Sequence, residues 1–395
     1  LAKKKNYLTP ADFIDDRYGN RFLSLLISVV MIIVLCNFTL AQLMAMGRAM
    51  QGLSGNSDSS TYNSGVIILA LIMVIYGTLG GVRAIAWTDA LQGIILFFGF
   101  AFLLLLLFDR FGSLEKATLI LSERDLLQNT KYTTPPDADS CRAWLSYILA
   151  VGFGVSLYPQ AIQRIYAAKS AAVLRKSLGL MAFMPLPTMV ISMIAGIMAL
   201  AYFPGLEGPE ADQAFGIILR EIQLHSAIGY GLVVVTLAAV LAAMMSTADS
   251  ALLSVSSMLT KDIVAKYIRA NLEEATLTKI GKILSWSFVL VLVALAICLQ
   301  EDTSLVHLLD RKIDLLIQLS PAFILGVRYK IFVGTAVLAG LSVGITTALA
   351  LAFGGFEFVE NGKISGFHPG LVALCPNLLI AIFGSLLLAK KVKKS

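Results

Sequence analysis

Apolar residues run through this chain in long blocks rather than at alternating positions. Ten blocks stand out, at 22–47, 65–82, 85–108, 143–163, 178–203, 227–258, 279–299, 304–327, 332–353 and 369–389. Most reach the roughly 20 residues that a helix needs to cross the hydrocarbon of a bilayer. In lipid every backbone N–H and C=O must be satisfied within its own segment, so such blocks predict helices. The eighth block differs in texture. "SLVHLLDRKIDLLIQLSPAFILGV" carries charges in its first half and is apolar only from Leu315, so its front is expected at the interface or inside protein. The predicted fold is an all-α polytopic membrane protein with ten transmembrane helices.

The polar connections set the expected topology. Ten crossings put both chain ends on one side. With the N-terminal end inside, the inner connections and tail hold 21 of the 31 Lys and Arg, and the outer ones hold 10. This bias predicts cytoplasmic N- and C-ends in a plasma (inner) membrane. Residues 1–21 then form a cytoplasmic loop. Residues 109–142, with the turn-rich "TTPPDADS", form an extracytoplasmic one. Within 204–226 the apolar spacing suggests a short amphipathic helix, either a lid over the mouth or a plain surface helix.

Composition agrees and narrows the class. The chain is 57% hydrophobic and 14% charged, with a mean hydropathy of +0.81. A soluble domain of 395 residues would need far more surface charge. The net charge of +6 sits in the connections, so it reads as topology and not as a nucleic-acid surface. Cys36, Cys141, Cys298 and Cys375 are scattered, as are His225, His307 and His368, which suggests neither a disulfide framework nor a metal cluster. No nucleophile–base pair or phosphate loop is evident. The expectation is a non-enzyme without an organic cofactor.

The sixth block raises the question of function, because it fills with hydroxyls. At about 100° per residue, Ser246, Thr247, Ser250, Ser254 and Ser257 fall in one stripe about 100° wide, starting from Ala243. Small polar residues serve helix packing in membranes, and Ser or Thr can bond back to their own helix. The same stripe offers neutral oxygens to a cation. Both readings stand on the stripe alone. Asp249 falls off the stripe and is expected to line the helix or an inner gate. Asp89, in "AWTDALQ", reads on its own as an interfacial carboxylate that reaches water or pairs with a base.

The fourth block contains Gly152, Gly154 and Pro159, which can loosen a helix where it passes a cavity, although glycine is equally ordinary in membrane helices. Transporters place substrates at such breaks near the midplane. Tyr158 and Gln160 then belong to a candidate substrate cavity, with Asn37 and Gln42 of the first block and Gln318 of the eighth. Asn37, Gln42 and Gln318 are equally able to serve interhelical bonding. Arg164 reads as a snorkelling anchor.

Three stretches carry a resemblance. "LAAMMSTADSALLSVSSMLTKDI" (241–263) resembles the signature helix of the sodium:solute symporter family. "YGTLGGVRAIAWTDALQGIILFFG" (76–99) is similar to its other hallmark, and "YPQAIQRIYAAKS" (158–170) to the junction between them. The resemblance implies the leucine-transporter fold of inverted repeats. Residues 22–108 would be core helices three to five, 143–327 core helices six to ten, and 328–395 two peripheral helices and a basic tail. Core helices one and two would be missing, as in an N-terminally truncated member starting at Leu1.

The resemblance further implies sodium as coupling ion, bound by the Ala243 carbonyl and the Ser246 and Thr247 hydroxyls. About half of that site would come from the absent first helix. Asp89 would contribute to a second cation site or the inner path, with Asp249 beside it. Sugar-carrying relatives use an asparagine and aromatics where this chain has Val151 and Gly154. That departure leaves amino acids or monocarboxylates as the small organic solute. A membrane sensor or an inactive paralogue on the same fold is the alternative.

Overall fold

The computed structural model describes residues 2–56, 58–79, 82–128, 130–225, 227–268, 272–360 and 362–392. The one-turn α1 (Ala2–Lys5) and α2 (Pro10–Tyr18) precede the long α3 (Arg21–Ser54). There follow α4 (Ser59–Leu79), α5 (Val82–Phe111), α6 (Leu114–Gln128) and α7 (Ala138–Gly154). Next come α8 (Pro159–Ala167), α9 (Ala171–Phe183), α10 (Pro185–Tyr202) and α11 (Ala214–His225). The remaining helices are α12 (Ala227–Met258), α13 (Glu274–Cys298), α14 (Leu305–Leu316), the one-turn α15 (Gly326–Arg328), α16 (Gly334–Phe353) and α17 (Pro369–Val392). A two-residue antiparallel hairpin pairs Val359 with Ile364 and Glu360 with Lys363 between the last two helices.

Within the described residues the ten apolar blocks fall on helices. Among the described residues, eight helices are long and apolar enough to cross a membrane, and Ser59–Ile75 is a shorter apolar helix. Two blocks are interrupted. The fourth is cut after Gly154 by a 3₁₀ turn, Val155–Leu157, and an extended Tyr158 ahead of Pro159. The eighth passes from α14 through a 3₁₀ turn, Ile317–Leu319, and a π-helical turn, Pro321–Leu325, into α15.

Two expectations of loop are corrected. Residues 10–18 are helical because Pro10 opens the first turn, Asp12 accepts the backbone N–H of Thr9 and Leu8, and Gly19 closes the helix at φ 58°. Residues 114–128 form α6, which buries Ala117 and Leu121 against α10. The amphipathic helix expected in 204–226 is present as α11, with Gly216, Ile218, Leu219 and Ile222 inward.

The core is built around α3. In the most apolar stretch of that helix 56% of residues are buried, against 22% in α5 and 11% across α9 and α10, so α3 is the central post and the others form a rim. The outer faces match lipid: Trp87, Leu91, Ile94 and Phe98 form one exposed apolar stripe on α5. At one end α11 crosses α3 at a glycine pair. A Cβ on Gly52 would lie 2.5 Å from the Gln213 carbonyl oxygen, and one on Gly216 2.5 Å from that of Ala49.

At the opposite, basic end α12 continues as a π-helical segment, Leu259–Ile268, and α2 is pinned beneath it. Lys261 Nζ donates to Asp12 at 2.6 Å, Thr9 Oγ1 donates to Asp262 at 2.7 Å, and Ser28 Oγ donates to the other Asp262 oxygen at 3.3 Å. Arg17 donates to the carbonyls of Gly326 and Tyr329, each at 3.0 Å, and the Tyr18 hydroxyl to that of Ala322 at 2.9 Å. Thus α2 ties together α3, the end of α12 and the α15 region.

Candidate functional site: a hydroxyl face beside a broken helix

Close approach of α5 to α12 creates the polar seam. A Cβ on Gly99 would lie 2.3 Å from that of Ala239, so the pair needs glycine there. Further along the two helices, Ser246 Oγ donates to Asp89 Oδ1 at 2.6 Å. Arg164, from α8, donates to Asp89 Oδ2 at 2.5 Å and also to Ser250 Oγ. Ser250 donates back to the Ser246 carbonyl at 2.9 Å, and Ser254 donates to Gln163 Oε1 at 2.9 Å. Ser246, Ser250 and Ser254 therefore share one network with α5 and α8.

The other hydroxyls divide by partner. Ser256 donates to the Gly281 carbonyl at 3.0 Å on α13, and Ser257 donates back to Leu253 at 2.8 Å. These two serve packing, as the bland reading of the stripe expects. Thr247 is half-buried, as is Ala243, and the Thr247 hydroxyl has no hydrogen-bond partner among the described residues.

The Ser246–Asp89 bond has a chemical consequence. A hydroxyl has one proton to donate and two lone pairs. With the proton committed to Asp89, the lone pairs of Ser246 Oγ stay available to a cation. Asp249 lies one turn along, 2% exposed, with Oδ1 lacking a hydrogen-bond partner among the described residues. Asp89 and Asp249 thus stand on the same seam, with Arg164 as the salt-bridged cation. Gly80 and Gly81 of the hallmark stretch lie outside the described residues.

The break between α7 and α8 meets α3 and α14. The Tyr158 ring packs on Phe38 with centroids 5.2 Å apart. Gly154 is buried, and a Cβ on it would reach only to 3.8 Å from Leu316, whereas Gly152 is exposed with open space around it. The Gln160 and Asn37 amides each have a buried side-chain oxygen without a partner among the described residues, and Gln42 is half-buried. Gln318 does not join them. It is fully buried in the seam of α14 and α17, donating to the Gly370 carbonyl at 2.7 Å and accepting from Asn377 at 3.2 Å. Its polar groups are consumed by interhelical bonding, which corrects its place in the cavity.

Two residues gain roles that sequence did not give them. Arg164 pairs with Asp89 and is more than a snorkelling anchor. Lys312, in the charged front of the eighth block, is buried, with its ammonium 4.1 Å from the centroid of Phe38 and 5.8 Å from that of Tyr158.

A bundle of lipid-facing helices with two interrupted elements beside a polar seam is the architecture in which secondary transporters build their sites. Residues 1–344 match the model of the sodium:solute symporter family, and the chain belongs to that family, whose members are transporters and not enzymes. It is 25% identical over 368 residues to a sodium/proline symporter of Haemophilus influenzae, covering 87% of this chain and 68% of the relative. It is 29% identical over 303 residues to a sodium/pantothenate symporter of the same organism, covering 75% and 58%. The high-affinity proline transporter PutP of Bacillus subtilis is 25% identical over 378 residues, covering 94% and 76%. The chain thus spans between about three fifths and three quarters of these relatives. A solved structure of a Na⁺-coupled sialic acid symporter, substrate-bound and outward-open, superposes with a TM-score of 0.71. It covers 98% of this chain and 78% of that one at 16% identity, which identifies the fold.

Proposed function

We propose that the protein carries out sodium-coupled symport of a small organic acid or amino acid, and not of a sugar, by alternating access. The observation that carries the reading is the hydrogen bond from Ser246 to Asp89, which leaves the serine lone pairs available for a monovalent cation. Sodium is held by the Ala243 carbonyl and the Ser246 and Thr247 hydroxyls, with further oxygens from a facing helix. Asp89 and Asp249 form a second cation position on the inner path. Asp89 is held by the Arg164 guanidinium, and Asp249 adds a carboxylate oxygen with no hydrogen-bond partner among the described residues, which offers a cation a ligand.

Solute binds at the α7–α8 break, near Gly154, Tyr158 and Gln160 and across from Asn37. Proline and pantothenate, named for the relatives, both carry a carboxylate, which fits the amino acid or monocarboxylate class. With both chain ends cytoplasmic, entry of one positive charge supplies about 2.3 kcal/mol per 100 mV. That supports roughly fiftyfold accumulation of a neutral solute, since about 1.36 kcal/mol is tenfold. The test is uptake of labelled proline and pantothenate into vesicles carrying the protein, with choline replacing sodium at fixed pH. Loss of uptake in choline is expected; equal uptake in both salts overturns the reading.

A further inference from the structure

Lys312 is a charge without a counter-ion among the described residues. It sits on α14 with 4% of its surface exposed. Among the described residues no carboxylate lies within 4.0 Å of its ammonium, and that group makes no hydrogen bond; its neighbours are the faces of Phe38 and Tyr158. The acids of its own helix are committed on other faces. Asp310 accepts the Tyr147 hydroxyl at 2.6 Å, and Asp314 accepts the Gly370 N–H at 2.8 Å and Arg311 at 3.3 Å. Cation–π attraction to two rings is smaller than the penalty of holding an ammonium out of water. Ionisable groups inside a membrane protein that lack a partner mark a ligand path.

The position is specific. Phe38 comes from the central post α3 and Tyr158 from the turn that interrupts the fourth block, so the ammonium lies at the helix break. From this juxtaposition we infer that Lys312 anchors the carboxylate of the transported solute, with Phe38 and Tyr158 covering the solute's apolar part. This rests on the symport reading and narrows it: the solute must carry a carboxylate, and the uncharged amide of the same solute is rejected.

The test uses the full protein in vesicles, with labelled proline and pantothenate as probes and prolinamide and pantothenamide as competitors. Wild type is expected to show sodium-dependent uptake of at least one acid, with its amide competing at least tenfold more weakly. Lys312→Gln and Lys312→Met are expected to raise KM for the acid at least tenfold and to shrink acid-over-amide discrimination to less than threefold. Their sodium half-saturation should stay within twofold. Lys312→Arg, which keeps the charge, should retain discrimination, and a melting curve in detergent checks that each variant folds. Wild type that takes up acid and amide alike overturns the inference while leaving symport intact, and this arm needs no variant. Unchanged discrimination in the folded Lys312→Gln or Lys312→Met protein also overturns it. Absence of sodium-dependent uptake of either acid in wild type overturns it as well; sodium-dependent uptake of a neutral solute would then show that symport itself survives.

Discussion

The bond between Ser246 and Asp89 makes a quantitative prediction about sodium. At 2.6 Å it is a charge-assisted hydrogen bond that fixes which way the serine proton points. Ser246→Ala removes the oxygen altogether. An interaction of a hydroxyl with a charge is worth about 1.5–3 kcal/mol. At about 1.36 kcal/mol per tenfold, the sodium concentration for half-maximal uptake should rise about 10- to 150-fold. Asp89→Asn keeps the shape but can present an N–H to the serine, turning the hydroxyl proton toward the cation. It should therefore weaken sodium binding partly through Ser246. If so, the two changes are not independent: the double variant should be little worse than the poorer single one, a coupling of about 1 kcal/mol or more. Uptake rate against sodium concentration in all four proteins, at fixed solute and pH, reads this directly. Additive effects within about 0.5 kcal/mol, or an unchanged sodium dependence in Ser246→Ala, would refute the orientation argument.

Other perturbations test the surrounding parts. Arg164→Gln frees Asp89 from its guanidinium, so the half-saturating sodium concentration should fall severalfold; a rise would show that the arginine supports the site rather than competing for it. Gln318→Leu strips partners from Gly370 and Asn377 and should destabilise the protein by about 2–4 kcal/mol in a denaturation assay, with the solute KM unchanged. Gly52→Val drives a side chain into the Gln213 carbonyl and should cost about 1–3 kcal/mol by the same measurement. Burial pushes the Asp12 carboxyl up, but Lys261 and the N–H groups of Thr9 and Leu8 outweigh it and hold it below its ordinary value of 3.8. The stabilisation from a depressed carboxyl is full above 3.8 and fades as pH falls through the lower folded value. The melting difference between wild type and Asp12→Asn should accordingly be flat from neutral pH down to about 5 and shrink only in stronger acid.

The apolar blocks were legible because lipid imposes length and composition on a helix independently of what it packs against. The break in the fourth block was legible too, since Gly154 and Pro159 act on their own backbone. Short elements were legible only where an apolar stripe marked them, as in α11, and α2 had none. The nine residues of α2 carry Asp12, Asp15, Asp16 and Arg17, whose pattern resembles a solvated loop until their partners on α12 and α15 are known. In the candidate site, Ser246 and Asp89 stood out as polar groups in apolar surroundings. Gln318 stood out no less, yet it is consumed by Asn377 and Gly370, while Lys312, unremarked among the charges of the eighth block, is left facing two rings. Periodicity gives a residue's face but not its partner, and for a buried polar group the partner decides the role.

The pinning of α2 also limits what can move. Its side chains meet Ser24 in the first turn of α3, Lys261 in the π-helical extension of α12 and the carbonyl of Gly326 at once. A working cycle that shears any two of these apart must expose Asp262 or strand Arg17. Paired spin labels on α2 and on residues 259–268 should report one unchanging separation in every state, making this cluster the stator against which the rest of the machine turns.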